Sequence, residues 1–197
     1  MYEGNRLVLR YIPGVEQATK LAVAADWTLL WDNAGKPYRR HTHEQEWGVR
    51  RGLHVRLLSD ELSDMCALSV LMEDRAAGAE FERLLIEHLN PLTRQELLEP
   101  IISRIDPSER MMRLMRLVLG APAYYDQEFY EPIAQLAEDP DPRVRDAVVL
   151  ACGYLEWFQL RAILRRMADQ DPHPEVRRDA MNTLVMRDNT NVPPVHP

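Results

Sequence analysis

Apolar residues follow two different periods along the chain, and the change falls near residue 93. Before it, short apolar runs rich in β-branched and aromatic residues alternate with polar turns, which is typical of strands. After it, apolar residues recur every three or four positions, which is typical of amphipathic helices. We therefore predict an α+β fold. It has a small α+β domain over residues 1–92, an all-α stack of helical hairpins over 93–187, and a flexible proline-rich tail over 188–197.

The first domain is predicted to contain four strands and two helices. Their order is strand, helix, strand, strand, strand, helix, which fits a sheet with its helices on one face. Trp27 and Trp31 are separated by an even interval, so we expect both to face one side of the sheet. The strands are placed at 6–12, 27–32, 53–58 and 65–72, and the helices at 15–25 and 79–89.

A repeat marks the helical region. The segment EDPDPRVR at 138–145 is echoed 32 residues later by QDPHPEVR at 170–177. In each copy an Asp-Pro pair ends one helix and a second proline opens the next. A fixed period of about 20–50 residues is the signature of stacked repeats. Another 32 residues upstream, Met112-Arg113 aligns with Val144-Arg145 without the double proline, so an earlier unit is either degenerate or coincidental.

The turns at 139–147 and 171–180 resemble those of the HEAT-repeat family, whose hairpins carry an Asp-Pro turn followed by Val-Arg and a small residue. The resemblance implies a stack of HEAT-like hairpins in the C-terminal half. It also implies that the second helix of each hairpin lines a concave face that holds partners. The side chains implicated on this face are Arg143, Asp146, Arg178 and Asn182.

Two further arginines of the repeat are expected to be structural. Arg145 and Arg177 follow the turns at the same offset, and we expect them to bridge to the turn aspartates Asp139 and Asp171 of a neighbouring unit.

Two aromatic pairs lie in or beside loops between helices. They are Tyr124-Tyr125 and Trp157-Phe158. Adjacent aromatic residues cannot both face one core, so one member of each pair is expected to be exposed as an interface anchor. We take Tyr124 and Trp157 as the candidate anchors.

Arg110, Arg113 and Arg116 alternate with methionines along one predicted helix. One interpretation is a cationic ridge beside an adaptable methionine surface, suited to an acidic partner. The other is an ordinary amphipathic helix with methionine inside and arginine outside.

One stretch of the first domain carries potential metal chemistry. If it forms a strand, His41 and His43 point the same way, Glu44 or Glu46 could complete a metal site, and His54 could add a third nitrogen ligand. The alternative is a polar loop between strands whose charges are solvated. A lone His-x-His lacks the spacing that makes zinc motifs specific, so we predict no metal ligands and no cofactor.

Charge and composition limit the partners. The net charge is −7 and is evenly spread, which argues against nucleic acid. No apolar run is long enough to span a membrane. The two cysteines, Cys66 and Cys152, lie far apart and suit a reducing compartment, so we expect a cytoplasmic protein.

These observations favour a non-catalytic protein-binding or scaffolding module that docks a partner protein on its helical-repeat surface. Within that class, small size and acidity suit an inhibitor or immunity protein. One alternative is a metal-dependent enzyme or enzyme accessory that uses the stretch 41–46. The other is a self-associating structural subunit, since a short stack leaves apolar ends that need covering.

Overall fold

The structure is a computed structural model, and it describes residues 1–10, 14–33, 42–60, 65–101 and 106–189. The chain divides into two compact units, Met1–Leu97 and Leu98–Pro197. The first is built on an antiparallel sheet and the second is a stack of helices, which confirms the predicted α+β class.

The sheet of the first unit has six strands, in the order β1-β6-β5-β4-β3, with β2 also paired to β6. All pairings are antiparallel. Gly52, at φ 72°, forms the tight turn between β4 and β5, a conformation that glycine adopts without steric cost. The strands are β1 (Tyr2–Glu3), β2 (Leu7–Val8), β3 (Thr28–Asp32), β4 (Thr42–Arg50), β5 (Leu53–Asp60) and β6 (Met65–Met72).

Two helices of this unit share one core with the sheet, which confirms the prediction of helices on one face. They are α1 (Gly14–Ala24) and α2 (Arg75–Leu89). Ala18 and Ala22 of α1 and Leu85 of α2 belong to the same buried cluster as Val55 and Leu57 of β5. The apolar residues of β5 alternate with polar ones, so that one face of the strand is buried.

Close packing of α2 on the sheet depends on Gly78. A Cβ atom at this position would lie 2.0 Å from the Met72 sulfur and 2.7 Å from the Met72 Cβ. The helix therefore approaches β6 more closely than any larger residue permits.

Residues 90–97 close the first unit. The short helix α3 (Arg94–Leu97) begins with a capping box, in which the Glu96 amide donates to the Thr93 hydroxyl and the Thr93 amide donates to Glu96. Arg10 binds both carboxylate oxygens of Glu96, at 2.7 and 2.6 Å. Hydrogen bonds from Arg10 and Thr93 lower the pKa of Glu96 to about 2. Helix α3 ends at Leu97, and residues 98–101, which follow it, are not helical.

Two expectations for the sheet are wrong. Residues 42–50, whose alternative interpretation was a solvated loop, form strand β4. Trp27 and Trp31 do not share a face. Trp27 lies before β3 and packs against Phe81, with ring centroids 5.9 Å apart, whereas Trp31 follows a register shift in β3 and is 40% exposed. A β-bulge re-aims the side chains beyond it, and sequence spacing does not report one.

The second unit contains five helices in its described residues. Helix α6 contacts both α4 and α8. Helix α5 packs against α6, and α7 packs against α8. The apolar residues of α7 follow the helical period and are buried at Leu160, Ile163, Leu164 and Met167. The helices are α4 (Pro107–Gly120), α5 (Gln127–Leu136), α6 (Pro142–Cys152), α7 (Leu160–Gln170) and α8 (Pro174–Asn189).

Each unit holds one buried cysteine, Cys66 on β6 and Cys152 at the end of α6. Burial raises the pKa of each thiol to about 12. Helix α8 continues to Asn189, beyond the predicted start of the tail, and residues 190–197 lie outside the described residues. Among the described helices, none combines the length and apolarity needed to cross a bilayer.

Candidate protein interface

Helices α4 and α6 begin in the same way. An aspartate accepts a hydrogen bond from the backbone two residues later, a proline follows, and an arginine lies four residues after the aspartate. The first set is Asp106, Pro107 and Arg110, and the second is Asp141, Pro142 and Arg145. The caps satisfy amide groups that a helix start leaves without intrahelical partners.

The arginines of these two sets connect successive repeats. Arg110 donates from Nη2 to Asp139 at 2.8 Å. Arg145 donates from Nε and Nη2 to the two oxygens of Asp171, at 2.7 and 2.9 Å. All four side chains are buried. We call these two connections the Arg–Asp ladder.

The ladder also organises the turns. Asp139 accepts from the Asp141 amide at 2.9 Å, and Asp171 accepts from the His173 amide at 2.8 Å. Burial opposes ionisation of Asp171, but the hydrogen bonds from Arg145 and from the His173 backbone outweigh it and lower the pKa of Asp171. One carboxylate therefore closes its own turn and holds the preceding repeat.

This geometry confirms the structural role predicted for Arg145 and changes the one predicted for Arg177. Nη1 of Arg145 caps the carbonyl groups of Asp139 and Pro140, at 2.8 and 3.3 Å. Nη1 of Arg177 caps those of Asp171 and Pro172 in the same way, at 2.6 and 3.2 Å. Within the described residues, however, Arg177 has no carboxylate partner.

Both interpretations of the arginine-methionine helix fail at Arg110. This side chain is neither a surface ridge nor an outward-facing charge, because it is buried against Asp139. Arg113 does face outward, paired with Glu109 at 2.9 Å. A period of 32 residues does not align this unit with the later ones. Pro107 and Pro142 are 35 residues apart, and α4 is three residues longer than α6. The Asp-Pro-x-x-Arg spacing was the signal that locates Arg110.

The four side chains implicated in partner binding lie on the exposed sides of α6 and α8. Arg143 pairs with its own cap, Asp141, at 2.7 Å, and this contact lowers the pKa of Asp141 to about 2. Arg178 pairs with Asp179 at 3.0 Å. Asn182 is exposed one turn further along α8.

The carboxylate of Asp146, on α6, interacts electrostatically with charged side chains of α8. Partial loss of hydration, followed by repulsion from Asp179 and Glu175, raises the pKa of Asp146, while Arg178 opposes the change. The exposed sides of α6 and α8 therefore form one surface of mixed charge. We call Arg143, Asp146, Arg178 and Asn182 the α6–α8 face.

One member of each aromatic pair is exposed, but the choice of Trp157 as an anchor is wrong. Its ring is 3% exposed, and Nε1 donates to the Pro122 carbonyl at 3.2 Å. Tyr125 packs edge-on against it, with ring centroids 5.6 Å apart. The exposed members are Tyr124, as chosen, and Phe158. Sequence spacing showed that one aromatic is outside, but not which one.

Residues 130–195 match the family model described as HEAT repeats. This segment, about a third of the chain, is similar to HEAT repeats. The match begins within α5, at residue 130, and includes α6, α7 and α8. No curated protein and no solved structure is significantly similar to the chain.

The HEAT hairpins contain a further structural arginine that sequence analysis missed. Arg187, near the end of α8, donates to the carbonyl groups of Cys152, Leu155 and Trp157, the latter two at 2.7 and 3.0 Å. It thereby fixes the loop between α6 and α7. Burial lowers the pKa of this guanidinium. The 32-residue repeat does not identify Arg187, because the carbonyl groups that this side chain binds belong to an irregular loop.

The potential metal ligands of the first unit are not gathered into one site, although His54 and Glu46 are paired. His43 binds Asp32, with 2.9 Å from Nε2 to Oδ1, and His54 binds Glu46, with 2.8 Å from Nδ1 to Oε1. Glu44 is buried on the opposite side of β4 from His43. His41 lies outside the described residues. In the part of the chain that the structure describes, no three His, Cys, Asp or Glu side chains are placed to hold a metal ion.

Proposed function

We propose that the protein is a non-catalytic binding module that docks a partner protein on the α6–α8 face. One observation carries the proposal: charged side chains stand outward on two adjacent helices whose inner sides are fixed by the buried Arg–Asp ladder. Such a surface is held in place before a partner arrives, which lowers the conformational cost of binding. HEAT repeats supply the class, that of helical-repeat interaction modules.

The mixed charge of the face suits a protein partner. Arg143 and Arg178 are exposed and already paired with aspartates on the same face, so a partner of one sign meets both attraction and repulsion. A protein surface with its own alternating charges can match this pattern, and such complementarity gives specificity more than affinity.

Within this class, we infer an inhibitor or immunity role, in which the module masks an enzyme or toxin. The small size of the chain and its net charge of −7 support this role, because a basic target is then attracted over a distance. Two buried free cysteines suit action in a reducing cytoplasm.

The test is capture of partners from the source cells with the tagged 197-residue chain. Stoichiometry is measured by the mass of the purified complex. The informative variant is Arg143→Glu/Arg178→Glu, and the matched control is Arg83→Glu/Arg166→Glu. The control changes the charge equally, at arginines that are also exposed and ion-paired.

We expect one stoichiometric partner whose affinity falls at least about tenfold in the Arg143/Arg178 variant and is unchanged in the control. Equal losses in both variants would show that only net charge matters and would refute the α6–α8 face. A chain whose own mass doubles, with no other protein bound, would support the self-associating alternative instead.

A further inference from the structure

One row of side chains recurs on α4, α6 and α8. It begins at the ladder arginine and continues at positions four and eight residues later, which lie on one side of a helix. On α4 the row is Arg110, Leu114 and Val118, and all three are buried. On α6 it begins with Arg145 and Val149, which are also buried.

On α8 the same row is open. It consists of Arg177, Met181 and Val185, and the two apolar side chains are 47% and 51% exposed. Arg177 uses Nη1 as Arg145 does, for the carbonyl groups of its own turn. Arg145 also donates from Nε and Nη2 to a carboxylate. The same two atoms of Arg177 have no hydrogen-bond partner in the part of the chain that the structure describes. We call these three side chains the outer row of α8.

The buried rows of α4 and α6 show which chemical groups the exposed row of α8 is suited to bind. In the ladder, the arginine receives an aspartate from the turn of the next hairpin, and the apolar positions of the row are buried. Paired N–H groups of a guanidinium match a carboxylate closely, and a methionine adapts to a varied apolar surface.

A second copy of this chain does not supply the missing aspartate through its first repeat. Asp139 and Asp171 each lie six residues before the arginine of their own unit. Six residues before Arg110 the sequence has Arg104 instead of an aspartate. The first repeat therefore lacks the residue that precedes the arginine in the other two units, and a second copy does not offer the same partner to Arg177.

We propose that the outer row of α8 docks a helical hairpin of a different protein, one that presents a turn aspartate to Arg177 and apolar side chains to Met181 and Val185. This inference rests on the proposed function, since it names the kind of partner that the binding module takes. It adds a second surface, beside the α6–α8 face.

The first test supplies the missing hairpin in the same chain. A second copy of residues 153–197 is joined after Leu184, which preserves the 32-residue period and retains Arg177 and Met181, while Val185 and Arg187 of the original α8 are replaced by Gly153 and Leu155 of the copy. The added hairpin then offers its own turn aspartate to Arg177. Controls carry Asp171→Asn in the added copy only, or Arg177→Gln in the original α8. The readout is amide hydrogen exchange in α8.

We expect exchange in α8 to be at least tenfold slower in the extended chain than in either control, since all three share the replacement of Val185 and Arg187 and differ only in the arginine–aspartate contact. Protection that is absent, or that is the same with and without the two substitutions, would overturn the proposal.

The second test separates this proposal from the proposed function. The extended chain and the variant Met181→Glu are used for partner capture beside Arg143→Glu/Arg178→Glu. We expect the extended chain and Met181→Glu to lose the partner. If they keep it while the Arg143/Arg178 variant loses it, the α6–α8 face stands alone and the outer row is not a docking site. If the natural chain is a dimer that the extended chain is not, the occupant is a second copy and the proposal is wrong.

Discussion

Replacing Arg145 by methionine tests the Arg–Asp ladder most directly. The variant keeps most of the side-chain length and removes the guanidinium, so Asp171 loses its cation while its side chain remains 2% exposed. Removing one partner of a buried ion pair typically costs about 3–5 kcal/mol, because the other charge is left uncompensated. We expect the free energy of unfolding of the helical unit to fall by that amount.

The matched control is Arg177→Met, one repeat later. It removes the same pair of carbonyl contacts, at 2.6 and 3.2 Å, but no buried carboxylate contact. Hydrogen bonds of this kind contribute about 0.5–1.5 kcal/mol each, so we expect a loss of about 1–3 kcal/mol. The difference between the two variants, about 2 kcal/mol, then isolates the connection between repeats.

Urea denaturation is the appropriate assay, with far-UV circular dichroism and the fluorescence of Trp157 as probes. Trp157 is the only tryptophan of the second unit, so replacing the other three by phenylalanine makes the signal specific to the HEAT repeats. The slope of the transition must stay constant for the midpoints to be compared. Equal losses in Arg145→Met and Arg177→Met would refute the argument that the buried carboxylate contact holds the repeats together.

Three further predictions concern pH and packing. The pKa of Asp171 is lower in the folded chain than in the unfolded chain, because Arg145 binds its carboxylate. The contribution of this contact to the free energy of unfolding is therefore complete above the ordinary aspartate pKa of about 3.9 and is lost as the pH falls through the lower pKa of the folded chain. The urea midpoints of wild type and Asp171→Asn should differ at neutral pH and converge in acid. Gly78→Ala should destabilise the first unit by about 1–3 kcal/mol, measured by thermal unfolding, because the new Cβ overlaps Met72; an unchanged midpoint would mean that α2 moves freely on the sheet. Trp157→Ala should cost about 3–5 kcal/mol and Phe158→Ala less than about 1 kcal/mol, and the reverse order in urea unfolding would show that the buried and exposed members are interchanged.

Sequence reasoning succeeded where one strong local signal acts alone. The Asp-Pro turns, the period of 32 and the apolar stripes determine the α5–α6 and α7–α8 hairpins, because caps and prolines fix helix ends locally. The Thr93–Glu96 capping box at the start of α3 is a local signal of the same kind.

It failed where the outcome depends on partners distant in sequence. Strand β4 carries His43, Gln45 and Glu46, a polar pattern typical of a loop, yet each of these side chains forms a hydrogen bond with a residue of β3 or β5. Arg110 lies on the buried side of α4, and the partner of its charge there, Asp139, is 29 residues away in sequence. Such polar positions are decided by what faces them, which no period reports.

Each unit contains one buried cysteine, so the modification rate of its thiol can report how often that unit opens. Cys66 and Cys152 are both buried, and thiols with a pKa near 12 are almost wholly protonated at neutral pH. An alkylating reagent can therefore modify either one only after the surrounding structure opens. Mass spectrometry of the two cysteine-containing peptides then yields two opening rates from one experiment, and their ratio tells whether the sheet or the HEAT repeats come apart first.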